Sequence, residues 1–153
     1  MPLPEPRGLG LIMPLMGHLM CYVRSQTSQI FTHLGYDITP EAADALLIIH
    51  HFDGLPQKEL ADILGKDKAS ITRLLNSLVK SQLVERLQDQ QDRRIIRAHI
   101  TEVGREAFRK IYPELKTLSD ATLAPLSENE FQQALASLSK VVANLPCQTP
   151  AKP

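Results

Sequence analysis

Five polar side chains crowd into one short stretch: Lys68, Ser70, Thr72, Arg73 and Asn76. All can donate hydrogen bonds, and two are cations. Short donors and cations on one helical face are the chemistry that reads base edges and phosphates in a DNA major groove. A second charged group, Asp92-Arg93-Arg94, follows a little further on. At the tip of a hairpin, such arginines can reach a minor groove or the phosphates beside it, with Asp92 orienting the loop by pairing with an arginine.

The other reactive residue types form no comparable group. Cys21 and Cys147 do not make a disulfide framework. Cys21 lies next to an apolar helical face and reads as a small buried thiol, the inert kind, rather than a reactive one. Of the five histidines, His18, His33, His50, His51 and His99, only His50 and His51 are neighbours, and adjacent residues on a helix point apart. No metal site is expected. Serines and histidines are present without a nucleophile elbow or other catalytic motif, so neither an enzyme nor a cofactor is expected.

The polar group needs a scaffold, and the stretch Gln57 to Asn76 supplies one. Leu60, Ala61, Ile63 and Leu64 make an apolar face on a short helix from Pro56 or Gln57 to Leu64. Gly65 can take the positive φ that a tight turn needs, and small Ala61 permits close approach. Asp67 caps a second helix from Lys68 to about Ser81, anchored by Ile71, Leu74, Leu75 and Leu78. Leu83 to Leu87 and Ile95 to Thr101 are rich in strand-forming residues and flank the polar tip Gln88 to Arg94, which reads as a hairpin. A hairpin directly behind two such helices is a winged helix-turn-helix.

Around this unit the periodicity is helical. A helix is expected from about Leu11 to Leu34, with Pro14 in its first turn and Gly35 as its C-terminal cap. Thr39-Pro40-Glu41 starts another, running to about Phe52, apolar on most sides and therefore buried. Thr101 caps a helix that Pro113 should interrupt and kink. Ser127 to Glu130 is a capping box ahead of the stripe Phe131, Ala134, Leu135, Leu138, Val142 and Leu145. Met1 to Gly8 should be a loose arm, and the proline-bearing end a disordered tail.

Composition agrees with one globular domain of 153 residues, 43% hydrophobic and 22% charged. The net charge is +0, but it is unevenly spread. Lys58 to Lys110 holds 12 Lys/Arg against 8 Asp/Glu, and the remainder holds 5 against 9. A basic centre between acidic flanks points to a polyanionic partner. The apolar run Leu9 to Met20 is broken by Pro14, Gly17 and His18. It is too short to span a bilayer, which needs about 20 apolar residues, and it lacks the flanks of a secretory signal. A soluble, cytoplasmic chain is expected.

The run from about Ile38 to Arg105 resembles the MarR family of bacterial transcription regulators. The matching pieces are ITPEAADALLIIHH, QKELADILGKDKASITRLLNSLVKSQLVER, DQQDRR and HITEVGR, with Asp92-x-Arg94 and Thr101-x-x-Gly104 the more specific. The resemblance implies a mainly α fold with a small β-hairpin: a winged helix-turn-helix (residues 37–104) between N-terminal (1–36) and C-terminal (105–146) dimerisation helices, ahead of a tail at 147–153. It implies a homodimer whose two recognition helices enter successive major grooves of a pseudo-palindromic operator. It further implies a repressor released by a small ligand, bound in a crevice that His18, Tyr22, His51 and Tyr112 could line.

The sequence departs from the family in two places. Gln82 replaces the usual glycine after the recognition helix, so a non-glycine residue should sit at positive φ. Pro56 replaces the usual capping serine or threonine. Both should cost stability rather than function. Cys21 lies closer to the second helix than the cysteine of peroxide-sensing members, and Arg105 and Arg109 stand on the fifth helix where zinc-sensing members carry histidines. Two other readings remain: a winged helix used only for protein contacts, and a thiol-based redox sensor through Cys21.

Overall fold

A computed structural model describes residues 11–145. The expected arm over residues 1–8 and the expected tail lie outside the described residues, as does Cys147. Helix α1 (Ile12–His33) buries Thr27 and Phe31 near its end. Gly35, at φ +84°, closes it, with the Gly35 N–H on the Thr32 carbonyl and the Tyr36 N–H on the Phe31 carbonyl. Helix α2 (Pro40–His51) starts as its sequence suggests. The Thr39 hydroxyl accepts from the Ala42 N–H, and Pro40 takes the first helical position. Ala42, Ala43, Ala45, Leu46 and Ile49 are buried, so α2 runs through the centre of the fold.

Strand β1 (Leu55–Pro56) was not legible in the sequence, because two residues carry no periodicity. It leads into α3 (Gln57–Leu64), whose N-cap Pro56 offers no side-chain acceptor. Gly65, left-handed at φ +60°, makes the turn to α4 (Lys68–Lys80). Leu60 of α3 and Ile71, Leu75 and Leu78 of α4 interlock in the core. Truncating any of these to alanine should cost about 2–5 kcal/mol.

Helix α4 ends in a left-handed turn at Gln82, φ 59°, the one non-glycine residue at positive φ among the described residues. The Leu83 N–H reaches back to the Leu78 carbonyl and closes the turn. Strands β2 (Val84–Gln88) and β3 (Ile96–Ile100) then pair antiparallel, from Val84 opposite Ile100 to Gln88 opposite Ile96. Strand β1 pairs with the other edge of β3, so the expected hairpin is part of a three-stranded sheet in the order β1-β3-β2.

Helix α5 (Glu102–Leu123) corrects one expectation. It runs unbroken through Pro113. Proline removes one backbone hydrogen bond from a 22-residue helix, and the bonds on either side suffice to continue it. Its first turn is locked to the wing. The Thr101 hydroxyl accepts from the Gly104 N–H and donates to the Gln82 carbonyl at 2.6 Å. Helix α6 (Glu128–Ala143) begins with the expected capping box, Ser127 and Glu130 bonding each other's backbone N–H groups. No residue of α6 is buried. No helix among the described residues is long and apolar enough to cross a membrane.

Candidate nucleic-acid interface

With Ile71, Leu75 and Leu78 turned into the core, helical geometry leaves Ala69, Arg73, Asn76 and Lys80 exposed along the opposite face of α4. Lys68 is exposed at the start of the helix. Ser70 and Thr72 flank this face, half-buried, and their hydroxyls are engaged within the protein. The Ser70 hydroxyl donates to Asp67 Oδ2 at 2.7 Å and accepts from Arg73 Nη2 at 3.0 Å. Asp67 Oδ1 meanwhile accepts from the Ser70 N–H. These bonds to Ser70, side chain first, hold the Asp67 carboxyl below its ordinary range. The Thr72 hydroxyl donates to the Lys68 carbonyl and accepts from Gln57 Nε2 at 3.0 Å, tying α3 to α4.

Asn76 has a partner that the sequence did not reveal. Arg86 of β2 donates from Nη2 to Asn76 Oδ1 at 2.7 Å. The two residues are ten apart in the chain and meet only because β2 folds back beside α4. A signal was available in principle: a cation two residues into the strand that follows the recognition helix.

The wing is built differently from the expectation. Asp92 pairs with no arginine side chain among the described residues; its Oδ1 accepts from the Arg94 N–H, two residues on, as short aspartates do in tight turns. The aspartate that does pair with an arginine is Asp89. Its Oδ2 lies 2.5 Å from Arg97 Nε, and its Oδ1 accepts from the N–H groups of Gln91 and Asp92. Arg97 also donates to the Gly54 carbonyl, joining the wing's base to the end of α2. The Asp92 N–H, then Arg97 and the Gln91 N–H, pull the Asp89 carboxyl from 3.8 to about 2. Arg93 and Arg94 stand exposed on the loop so formed.

Asp53, just past α2, ties together β3 and α5. It accepts from the Ile100 N–H at 3.0 Å and from Arg105 Nη2 at 2.6 Å, and His99 Nδ1 lies 3.3 Å away. Burial pushes its carboxyl up, but Arg105 and the Ile100 N–H outweigh that and leave it below its ordinary value. In the sequence Asp53 stands only as the residue after the expected helix end at Phe52.

The four candidate ligand residues do not form one enclosed pocket. His18 and Tyr22 are exposed on the first half of α1. His51 packs edge-on against Phe52 at 4.5 Å, and Tyr112 lies 6.2 Å from Phe108. An open cavity of about 620 Å³ lies elsewhere, lined by the second half of α1 from Gln26 to His33 and by Glu114 of α5. His50, not singled out from sequence, stacks on Phe108 at 3.4 Å with its Nδ1 buried and unpartnered among the described residues. Burial first, then Arg105 and His51, lower its pKa.

Cys21 is a further correction: it is exposed, with nothing among the described residues packed over the first half of α1. Among the described residues no group of three or more His, Cys, Asp or Glu could hold a metal ion.

Residues 36–95 match the MarR family. The chain is similar to the HTH-type transcriptional regulator MhqR of Bacillus subtilis, 27% identical over 109 residues that cover 71% of this chain and 75% of that one. Among solved structures, a MarR-family transcriptional regulator from Silicibacter pomeroyi is 27% identical with a TM-score of 0.78, covering 98% of this chain and 100% of the other. A MarR-family regulator from Listeria monocytogenes, complexed with a 26-mer DNA, has a TM-score of 0.77 at 23% identity over 87% of each chain.

Proposed function

We propose, from its similarity to MarR-family transcriptional regulators, that the chain is a member of that family and represses transcription as a homodimer on a pseudo-palindromic operator. In this reading α4 enters the major groove with Lys68, Arg73 and Asn76 toward the DNA. Ser70 and Thr72 stiffen it from the flanks. Arg93 and Arg94 of the wing reach the adjacent minor groove and phosphates, on a loop shaped by Asp89 and Asp92. The supporting observation is the exposed donor face of α4 beside an arginine-tipped loop that is internally braced. MarR-family proteins are regulators rather than enzymes.

Residues 37–104 form the DNA-binding unit in this proposal, and 1–36 and 105–146 the dimer-forming helices. A small-molecule effector enters near His18, Tyr22, His51 and Tyr112, where the partner's helices complete the crevice. The protein works in the cytoplasm, where its DNA is.

Footprinting on the DNA upstream of the chain's own gene tests the proposal directly. Two protected half-sites one helical turn apart are expected, roughly 10 base pairs centre to centre. Binding should fall steeply with salt, because neutralising phosphates releases counterions. Arg94→Ala should weaken binding and lower the salt slope by about one unit per half-site while leaving the fold intact. Salt-independent association with duplex DNA, or none, would favour a protein-interaction module instead.

A further inference from the structure

The Arg86–Asn76 contact constrains what the recognition helix can read. Arginine carries five N–H donors and no acceptor, so the Asn76 amide must turn its oxygen toward Arg86. Its nitrogen, with two N–H donors, is what remains to face outward. Beside it stand the other N–H groups of Arg86. The flanking hydroxyls are largely engaged within the protein: Ser70 and Thr72 each donate their proton and accept once, from Arg73 and Gln57, leaving one lone pair apiece. Lys68 and Arg73 can only donate. Free N–H donors therefore dominate this face.

A major groove answers donors differently at each base. Guanine presents two acceptors, N7 and O6, whereas adenine sets an N6 amino donor beside its N7, and cytosine presents an amino donor. Asparagine normally reads adenine in a two-point pair, its oxygen accepting from N6 and its nitrogen donating to N7. Here one lone pair of that oxygen is taken by a guanidinium, whose positive charge disfavours a second donor such as the adenine amino group beside it. We infer that Arg86 is a positioning residue for base specificity: it presents Asn76 as a donor, so that the pair selects guanine over adenine. This deepens the reading of α4 as a recognition helix and rests on it.

The test selects duplexes from a randomised double-stranded DNA library with the wild type, Arg86→Ala, Arg86→Lys, Asn76→Ala and Asn76→Asp. Kd values are then measured on the enriched duplex and its single-base-pair variants. In the wild type one base pair should depend on Asn76, carry guanine, and lose about tenfold in affinity when changed to adenine. Arg86→Ala should reduce that preference to about twofold or less at this pair, as Asn76→Ala does, while preferences elsewhere persist. Arg86→Lys keeps a donor and should rescue part of it. Asn76→Asp is exposed and safe for folding; by turning donors into acceptors it should move the preference toward cytosine or adenine. Thermal melts by circular dichroism check that each variant folds.

A uniform loss of affinity in Arg86→Ala, with the preference intact, would make Arg86 a phosphate contact and overturn the inference. So would adenine at the Asn76-dependent pair, or a motif unchanged in Asn76→Ala. A wild type that enriches no motif at all would sink the DNA-binding proposal itself, which is a different result from any of these.

Discussion

Gly104 and Asp89 show how much one position can decide. A Cβ on Gly104 would sit 2.2 Å from the Leu83 carbonyl oxygen and 2.8 Å from Ile100 Cγ1. That carbonyl cannot retreat, because it accepts from the Thr101 N–H. Gly104→Ala should therefore destabilise the protein by about 3 kcal/mol or more, seen as a large drop in the urea midpoint; a change below about 1 kcal/mol would show that the wing and α5 can separate freely. Asp89 controls the wing's order. Its carboxyl is depressed from 3.8 to about 2, so its stabilisation is complete above 3.8 and lost as pH falls toward 2. Asp89→Asn should speed amide exchange at Gln91 and Asp92 and weaken DNA binding at neutral pH. An NMR titration of the wild-type Asp89 carboxyl should find its midpoint near 2; a midpoint near 3.8 would mean that the bonds to Arg97 and the loop amides do not persist in solution.

At the scale of elements, the junctions carry more information than the helices. The turn after α4 needs a left-handed residue, and Gln82 supplies it at φ 59°. A side chain there costs about 1–2 kcal/mol, part of which glycine's extra freedom in the unfolded chain would take back. Gln82→Gly should thus stabilise by about 1 kcal/mol, raising Tm by roughly 2–4 °C for a domain of this size. A lowered Tm would show that the Gln82 side chain makes a compensating interaction. Capping was legible at almost every start: Thr39, Asp67, Thr101 and Ser127 all accept from the backbone N–H three residues on. Caps are local, and a side chain that must reach only three residues can be read from the residues alone.

For the molecule as a whole, the apolar surface is lopsided. On α1, Ile12, Leu15, Leu19 and Met20 are exposed, as is Leu11 just before it, and on α6 so are Leu135, Leu138, Val141 and Val142. The interior is instead built around α2, packed by α3, α4 and the sheet, with Phe31 from α1 and Ala107 and Ile111 from α5 closing it. Patches of that extent on a chain this size call for a covering surface, and two-fold association is the commonest arrangement that supplies one. Deleting residues from Leu126 onward should give a monomer that no longer binds DNA, measured by sizing with light scattering and by gel shift. A truncated chain that still runs as a dimer would remove α6 from the proposed interface. Cys21→Ser, on the same exposed part of α1, should leave DNA binding unchanged.

The order of the helices and most of their starts, the glycine turn between α3 and α4, and the hairpin were determined by the sequence itself. Each depends on hydrophobic period, cap chemistry or backbone sterics acting over a few residues. The tertiary structure alone decided which polar groups meet. Asp53 finds Arg105 across 52 residues, Asp89 rather than Asp92 takes an arginine, and Arg86 comes to Asn76. It also decided that Pro113 leaves α5 whole and that a two-residue strand widens the hairpin to a sheet. Hydrogen bonds between distant residues depend on ångström-scale distances set by the packing of whole elements, and no residue spacing along the chain encodes those distances.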